Sequence, residues 1–113
     1  MDYPAHAKPN RAVVIVEETK VAGLFHNPDA KRLAADLFEG QRLHLERDYR
    51  NPYDRWAMAV KCPDGEVLGY VSCDVAEVVG RLCEGGRRLH GEVLSAEGLR
   101  QGARVAMAVV LDD

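Results

Sequence analysis

Residues 42–71 read RLHLERDYRNPYDRWAMAVKCPDGEVLGYV. At the start of this stretch Leu43 and Leu45 alternate with Arg42, His44 and Glu46, the period-2 pattern of a strand with one face buried. The alternation stops at Asn51-Pro52, a pair that opens turns. Short strands are expected again at 55–61 and 66–71. Between them stands Cys62-Pro63-Asp64-Gly65, where proline and glycine supply the dihedrals of a hairpin loop.

Working outward, the N-terminal side holds two β-branched runs, Val13–Val16 and Lys20–Phe25, which are two strands or one strand interrupted around Glu17-Glu18-Thr19. A helix is expected over 28–39. Asn27 suits its cap, Pro28 its first position and Gly40 its left-handed end, while Ala30, Leu33, Ala34, Leu37 and Phe38 form one apolar stripe. On the C-terminal side a second helix fits 74–84, with Val75, Val78, Val79, Leu82 and Cys83 on its stripe and Gly85-Gly86 at its end. Strands near 88–94 and 103–111 complete the chain. Five to seven short strands with two helices set irregularly among them give an α+β class, a small antiparallel barrel of about six strands. Residues 1–12 are expected as a flexible arm around Pro4, Pro9 and Asn10, and 13–113 as a single domain.

The totals exclude more than they assign. A chain of 113 residues, 47% apolar, buries one core, and 15 Lys plus Arg against 18 Asp plus Glu leave a net charge of −3. Any anionic partner therefore has to meet a local patch. No run reaches the roughly 18 apolar residues of a membrane span, and the N-terminus has neither a basic nor an apolar leader segment, so a soluble, cytoplasmic protein without membrane contact is expected. Three cysteines with no C-x-x-C pair, and four histidines, form neither a disulfide framework nor a zinc spacing. No glycine-rich phosphate loop or oxyanion motif accompanies them. No catalytic set, metal or cofactor is expected.

Glu46–Val60, with Asn51-Pro52-Tyr53-Asp54 at its centre, resembles the signature of the HIRAN domain family. Val21-Ala22-Gly23-Leu24 is similar to that family's first-strand motif, and Gly65–Val71 to its hairpin. Ala76 and Gly85-Gly86 stand where its following helix begins and ends. The resemblance implies a barrel like those that bind oligonucleotides, and a module that captures single-stranded DNA at a free 3′-hydroxyl end in repair or replication-fork processing. A separate helicase, translocase or nuclease would supply any ATP-driven or cleaving step.

An end-binding site needs a ring to stack a base, an acceptor for the terminal hydroxyl, and donors for phosphates. Tyr53 and Asp54 supply the first two, since a carboxylate accepts from a hydroxyl and repels a terminal phosphate. Asn51 bonds either the nucleic acid or its own turn. Phe25 and His26 stand where the family carries a basic residue and an aromatic; they can stack or donate but lack the permanent charge of an arginine. Tyr70 is placed where the family often has a ring, and Trp56 is a stacking or barrel-capping residue. Arg50 and Arg55 flank the signature together with Arg42 and Arg47, and Arg81, Arg87 and Arg88 cluster after the second helix. A second reading keeps the barrel and turns it to protein–protein interaction; net acidity and the Phe25-His26 departure favour it, and Tyr53 and Asp54 oppose it. RNA lies between the two, because stacking alone does not distinguish the sugars.

Overall fold

The computed structural model describes residues 13–112. Its elements run β1 (Val13–Ala22), α1 (Ala30–Ala35), β2 (Arg42–Arg47), β3 (Met58–Lys61), β4 (Val67–Val71), α2 (Cys73–Glu84), β5 (Arg88–Gly98) and β6 (Ala103–Asp112). The six strands close into a barrel in the spatial order β1-β4-β3-β2-β5-β6, and every neighbouring pair is antiparallel. This is the α+β barrel that the strand pattern implies. The arm expected at 1–12 lies outside the described residues.

β1 is one strand, and the interruption in its sequence is a bulge. Its register against β6 shifts between Val14 and Val16 and again between Val16 and Thr19. Each shift bends the strand, so that its first part lies along β6 and its end, Val21 and Ala22, along β4. The strand does not reach Phe25 as its β-branched run suggests. Gly23 takes φ 83°, a left-handed value that suits glycine, and Leu24–His26 follow as a 3-10 turn.

α1 is half the expected length. Asn27 does act at its entry: its side-chain oxygen accepts from the Asp29 N–H (2.9 Å), while its amide donates to the Val67 and Leu68 carbonyls (3.1 and 2.9 Å), fastening the turn to β4. After Ala35 the Asp36 and Leu37 N–H groups bond three residues back, to Leu33 and Ala34, which tightens and ends the helix. Phe38 therefore leaves the expected stripe and is 62% exposed, its N–H held by the Gln41 side chain (3.2 Å).

α2 matches its expected span, but its stripe is rotated: Ala76, Val79 and Gly80 are buried and Val78 is exposed. The small residues let the helix approach closely. The β3 expectation of 55–61 shortens to Met58–Lys61 because Arg55–Ala57 belong to the preceding turn, closed by the Ala57 N–H on the Asp54 carbonyl (3.1 Å). β5 and β6 run longer than expected and form the chain's largest hairpin. Leu43, Met58, Val60, Leu68, Val79, Val93, Val105, Met107 and Val109 are fully buried and fill the barrel. No helix among the described residues is long and apolar enough to cross a membrane.

Candidate nucleic-acid interface

The connection between β2 and β3 is a chain of short side-chain-to-backbone bonds. Asp48 accepts from the Arg50 N–H (3.1 Å), Asn51 from the Tyr53 and Asp54 N–H groups (2.8 and 3.1 Å), and Asp54 from the Trp56 N–H (2.8 Å). Aspartate and asparagine do this because their short side chains reach the backbone two residues on. The loop base is closed by the Asp48 N–H on the Ala57 carbonyl (2.9 Å). Such a loop holds its shape without a buried core of its own.

The locked backbone displays two rings. Tyr53 is 95% exposed and Tyr49 is 72% exposed. Tyr49 was not singled out by sequence; its only signal was an aromatic beside a turn. Next to Tyr53, Asp54 is half-buried, and only one of its two carboxylate oxygens is used by the loop. Arg50 is exposed and forms no ion pair among the described residues.

Tyr70 anchors this loop to the barrel wall. Its hydroxyl donates to the second Asp48 oxygen at 2.9 Å, and its ring lies beside Gly23, where a Cβ would stand 3.8 Å from it. The hydrogen bond to Asp48, and next to it burial, raise the Tyr70 pKa above the usual tyrosine value. The folded value being the higher, the bond stabilises the fold fully below the ordinary tyrosine pKa and its contribution is lost as pH rises through the folded one. In a spectrophotometric alkaline titration one phenol is expected to ionise later than the others. Tyr70→Phe should remove that late step; an unchanged titration curve would refute the assignment.

Behind the rings lies a cluster that the sequence did not join together. The Arg47, Arg55 and Arg81 guanidiniums stand 4.9, 5.3 and 4.7 Å from the Trp56 ring centroid, and Arg47 also lies 4.7 Å from the Tyr49 centroid. These are cation–π distances. Arg47 is only 8% exposed; it donates to the Arg55 carbonyl (2.8 Å) and pairs with Glu84 at 3.2 Å. Trp56 is thus covered by cations and ties the loop to α2. Gly80 permits the approach, because a Cβ there would come 2.9 Å from the Trp56 ring. A glycine inside a helix, which costs about 1 kcal/mol against alanine, was the available clue.

Phe25 and His26 are both exposed, Phe25 by 72%, on the turn after β1. The Phe25 ring lies near Gly102 in the β5–β6 turn. Described hydrogen bonds do not link either residue to the Tyr53 loop; Tyr70 is the side chain that touches both the Gly23 turn and Asp48. The structure therefore gathers Asn51, Tyr53, Asp54, Arg50, Arg55 and Tyr70 around one loop and sets Phe25-His26 on a neighbouring turn. The cysteines are unpaired and separate: Cys62 buried, Cys73 exposed, Cys83 partly buried. Burial, chiefly, raises the Cys62 thiol pKa. Among the described residues no group of three or more His, Cys, Asp or Glu is arranged to hold a metal.

A closed antiparallel barrel with exposed rings on a self-locked loop is the build of a small binding module on an oligonucleotide-binding-type barrel. Residues 8–112 match the family model of the HIRAN domain, and the chain belongs to that family. The fold is similar to a crystal structure of a protein from Lactobacillus plantarum (TM-score 0.82, 23% identity, covering 92% of this chain and 98% of that one). It is also similar to the crystal structure of the HIRAN domain of human HLTF (TM-score 0.67, 19% identity, 88% and 78% covered). The NMR structure of the HLTF HIRAN domain aligns with TM-score 0.56 at 14% identity, over 89% and 78% of the two chains. Among curated proteins none matches the sequence significantly.

Proposed function

We propose that this domain binds nucleic acid and takes single-stranded DNA at a free 3′-hydroxyl end, with no chemistry of its own. Family membership supports the binding class. The observation that carries the finer reading is Tyr53, almost wholly exposed on a loop whose backbone is already fixed, with an unused Asp54 oxygen beside it. A terminal base stacks on Tyr53; the 3′-hydroxyl donates to Asp54; Arg50 and Arg55 meet phosphates. Phe25 and His26 serve the next nucleotide. Work driven by ATP, or strand cleavage, comes from outside this domain, from a helicase, translocase or nuclease.

The test uses fluorescence anisotropy of a short single strand ending in a 3′-hydroxyl or a 3′-phosphate. The wild-type protein is expected to prefer the hydroxyl by about tenfold, on the order of 1.4 kcal/mol. That is below the ~4 kcal/mol of a like-charge contact at an effective dielectric of 20, because the loop is half in water. Asp54→Asn keeps an acceptor for the Trp56 N–H and loses the charge, so the preference should vanish while the fold stays. Equal affinity of the wild type for both ends would refute end recognition. Absence of any DNA binding at low salt would point to the protein-interaction reading instead.

A further inference from the structure

Where β2, β5 and β6 pass the C-terminal end of α2, the surface forms a groove of about 760 Å³, well away in sequence from the Tyr53 loop. Its polar lining is Arg42, His44, Arg87, Arg88, His90 and Asp112. Three arginines thus face one carboxylate, in a chain whose net charge is −3. That carboxylate is engaged: Asp112 pairs with Arg42 and lies 2.8 Å from His90 Nδ1. Arg88 and His44 have no ion pair among the described residues, so the groove keeps an excess of donors.

We infer that this groove is a second nucleic-acid contact, one that holds backbone phosphates of a single strand rather than its end. Three features support the assignment. The donors stand on rigid elements: His44 and His90 are directly opposite across β2 and β5, and Arg88 is opposite Asp112 across β5 and β6. Leu45, Leu89 and Leu111 line the groove beside them, giving apolar surface for sugars and bases next to phosphate donors. Finally, α2 joins this groove to the loop: Arg81 covers Trp56, while Cys83, two residues on, lines the groove. Cations after a helix C-terminus are favourable by themselves, but that does not account for Arg42 and His44, which come from β2. The inference rests on the nucleic-acid reading of the domain and not on end recognition.

A circular oligothymidylate separates the two, because it has no end. Its binding to the full chain is measured by anisotropy over a range of salt, for the wild type, for Arg87→Ser/Arg88→Ser and for Asp54→Asn. The circle should bind the wild type and Asp54→Asn alike. The double variant should lose about tenfold in affinity, and its log–log salt slope should become shallower by roughly 1.4, at ~0.7 for each lost phosphate contact. Retention of the 3′-hydroxyl preference on a trinucleotide by the double variant, with an unchanged melting temperature, would show that the loop is intact. A circle that binds the double variant as tightly as the wild type, or does not bind at low salt, overturns the groove assignment. So does full competition by thymidine 5′-monophosphate at equal nucleotide concentration, which would make the ligand a free phosphate monoester. Loss of end preference in the wild type with an arginine-dependent circle would instead sink end recognition and support the groove.

Discussion

Tyr53→Ala is expected to weaken binding of a single-stranded oligonucleotide by about 1–3 kcal/mol, roughly 5- to 150-fold, and to leave thermal stability nearly unchanged. The two halves of that expectation have one cause. A ring that is 95% exposed contributes almost no buried area to the fold, so its removal creates no cavity. Its backbone N–H, held by Asn51 at 2.8 Å, survives the substitution, and the loop keeps its shape. What disappears is the stacking surface. Tyr53→Phe separates stacking from any role of the hydroxyl and should bind as the wild type does. The pair of measurements is an anisotropy titration and a melting curve on the same preparations; unchanged affinity in Tyr53→Ala would remove this loop from the interface.

Gly69→Ala is expected to have the largest effect on the fold, a loss of more than about 3 kcal/mol, which is exceptional for adding one methyl group. Gly69 lies in β4 between Leu68 and Tyr70, at the place where β1 turns away. A Cβ there would collide with the Ala22 carbonyl oxygen, and it would stand 2.8 Å from the Val21 side chain and 3.2 Å from Leu24. The first of these atoms is backbone of the strand that closes the barrel, and it cannot move aside without breaking the β1–β4 pairing. Denaturant unfolding of Gly69→Ala should show a large fall in midpoint. Gly65→Ala is a useful comparison: nothing lies within 4 Å of its Cβ position, so its cost is confined to a φ of 97° in the hairpin turn. Similar losses in the two variants would contradict the steric argument.

Much of this architecture can be read from residues close together in the chain. The alternation around Leu43 and Leu45, the Pro63-Asp64-Gly65 turn and the span of α2 depend on local periodicity and turn chemistry, and these carry over directly. Element ends are less legible, because they depend on partners. Phe38 fits a helical stripe by spacing, yet it is exposed because the Asp36 and Leu37 N–H groups turn back three residues and end α1. At the loop, Asn51 and Asp54 announce a turn, and the exposure of Tyr53 agrees with a recognition role. The clustering of Arg47, Trp56 and Arg81 was not legible, since it requires knowing that α2 lays Gly80 against the loop. The groove was legible only in part: Arg87 and Arg88 stand together in sequence, but β2 brings Arg42 and His44 to them through pairing with β5.

The strand pairings around the barrel are very unequal. β5 and β6 are joined over ten residue pairs, whereas β1 meets β4 over two, Val21 with Val71 and Ala22 with Tyr70. The domain is therefore better regarded as a curled sheet with a latch than as a uniformly closed cylinder, and thermal breathing concentrates at the latch. Tyr70 is part of that latch, and its hydroxyl holds the Asp48 end of the loop. A ligand gripped by the closed form and not by the open one lowers the open population in proportion to its occupancy. The same two residue pairs that complete the barrel thereby let the domain convert binding at its surface into rigidity of its frame.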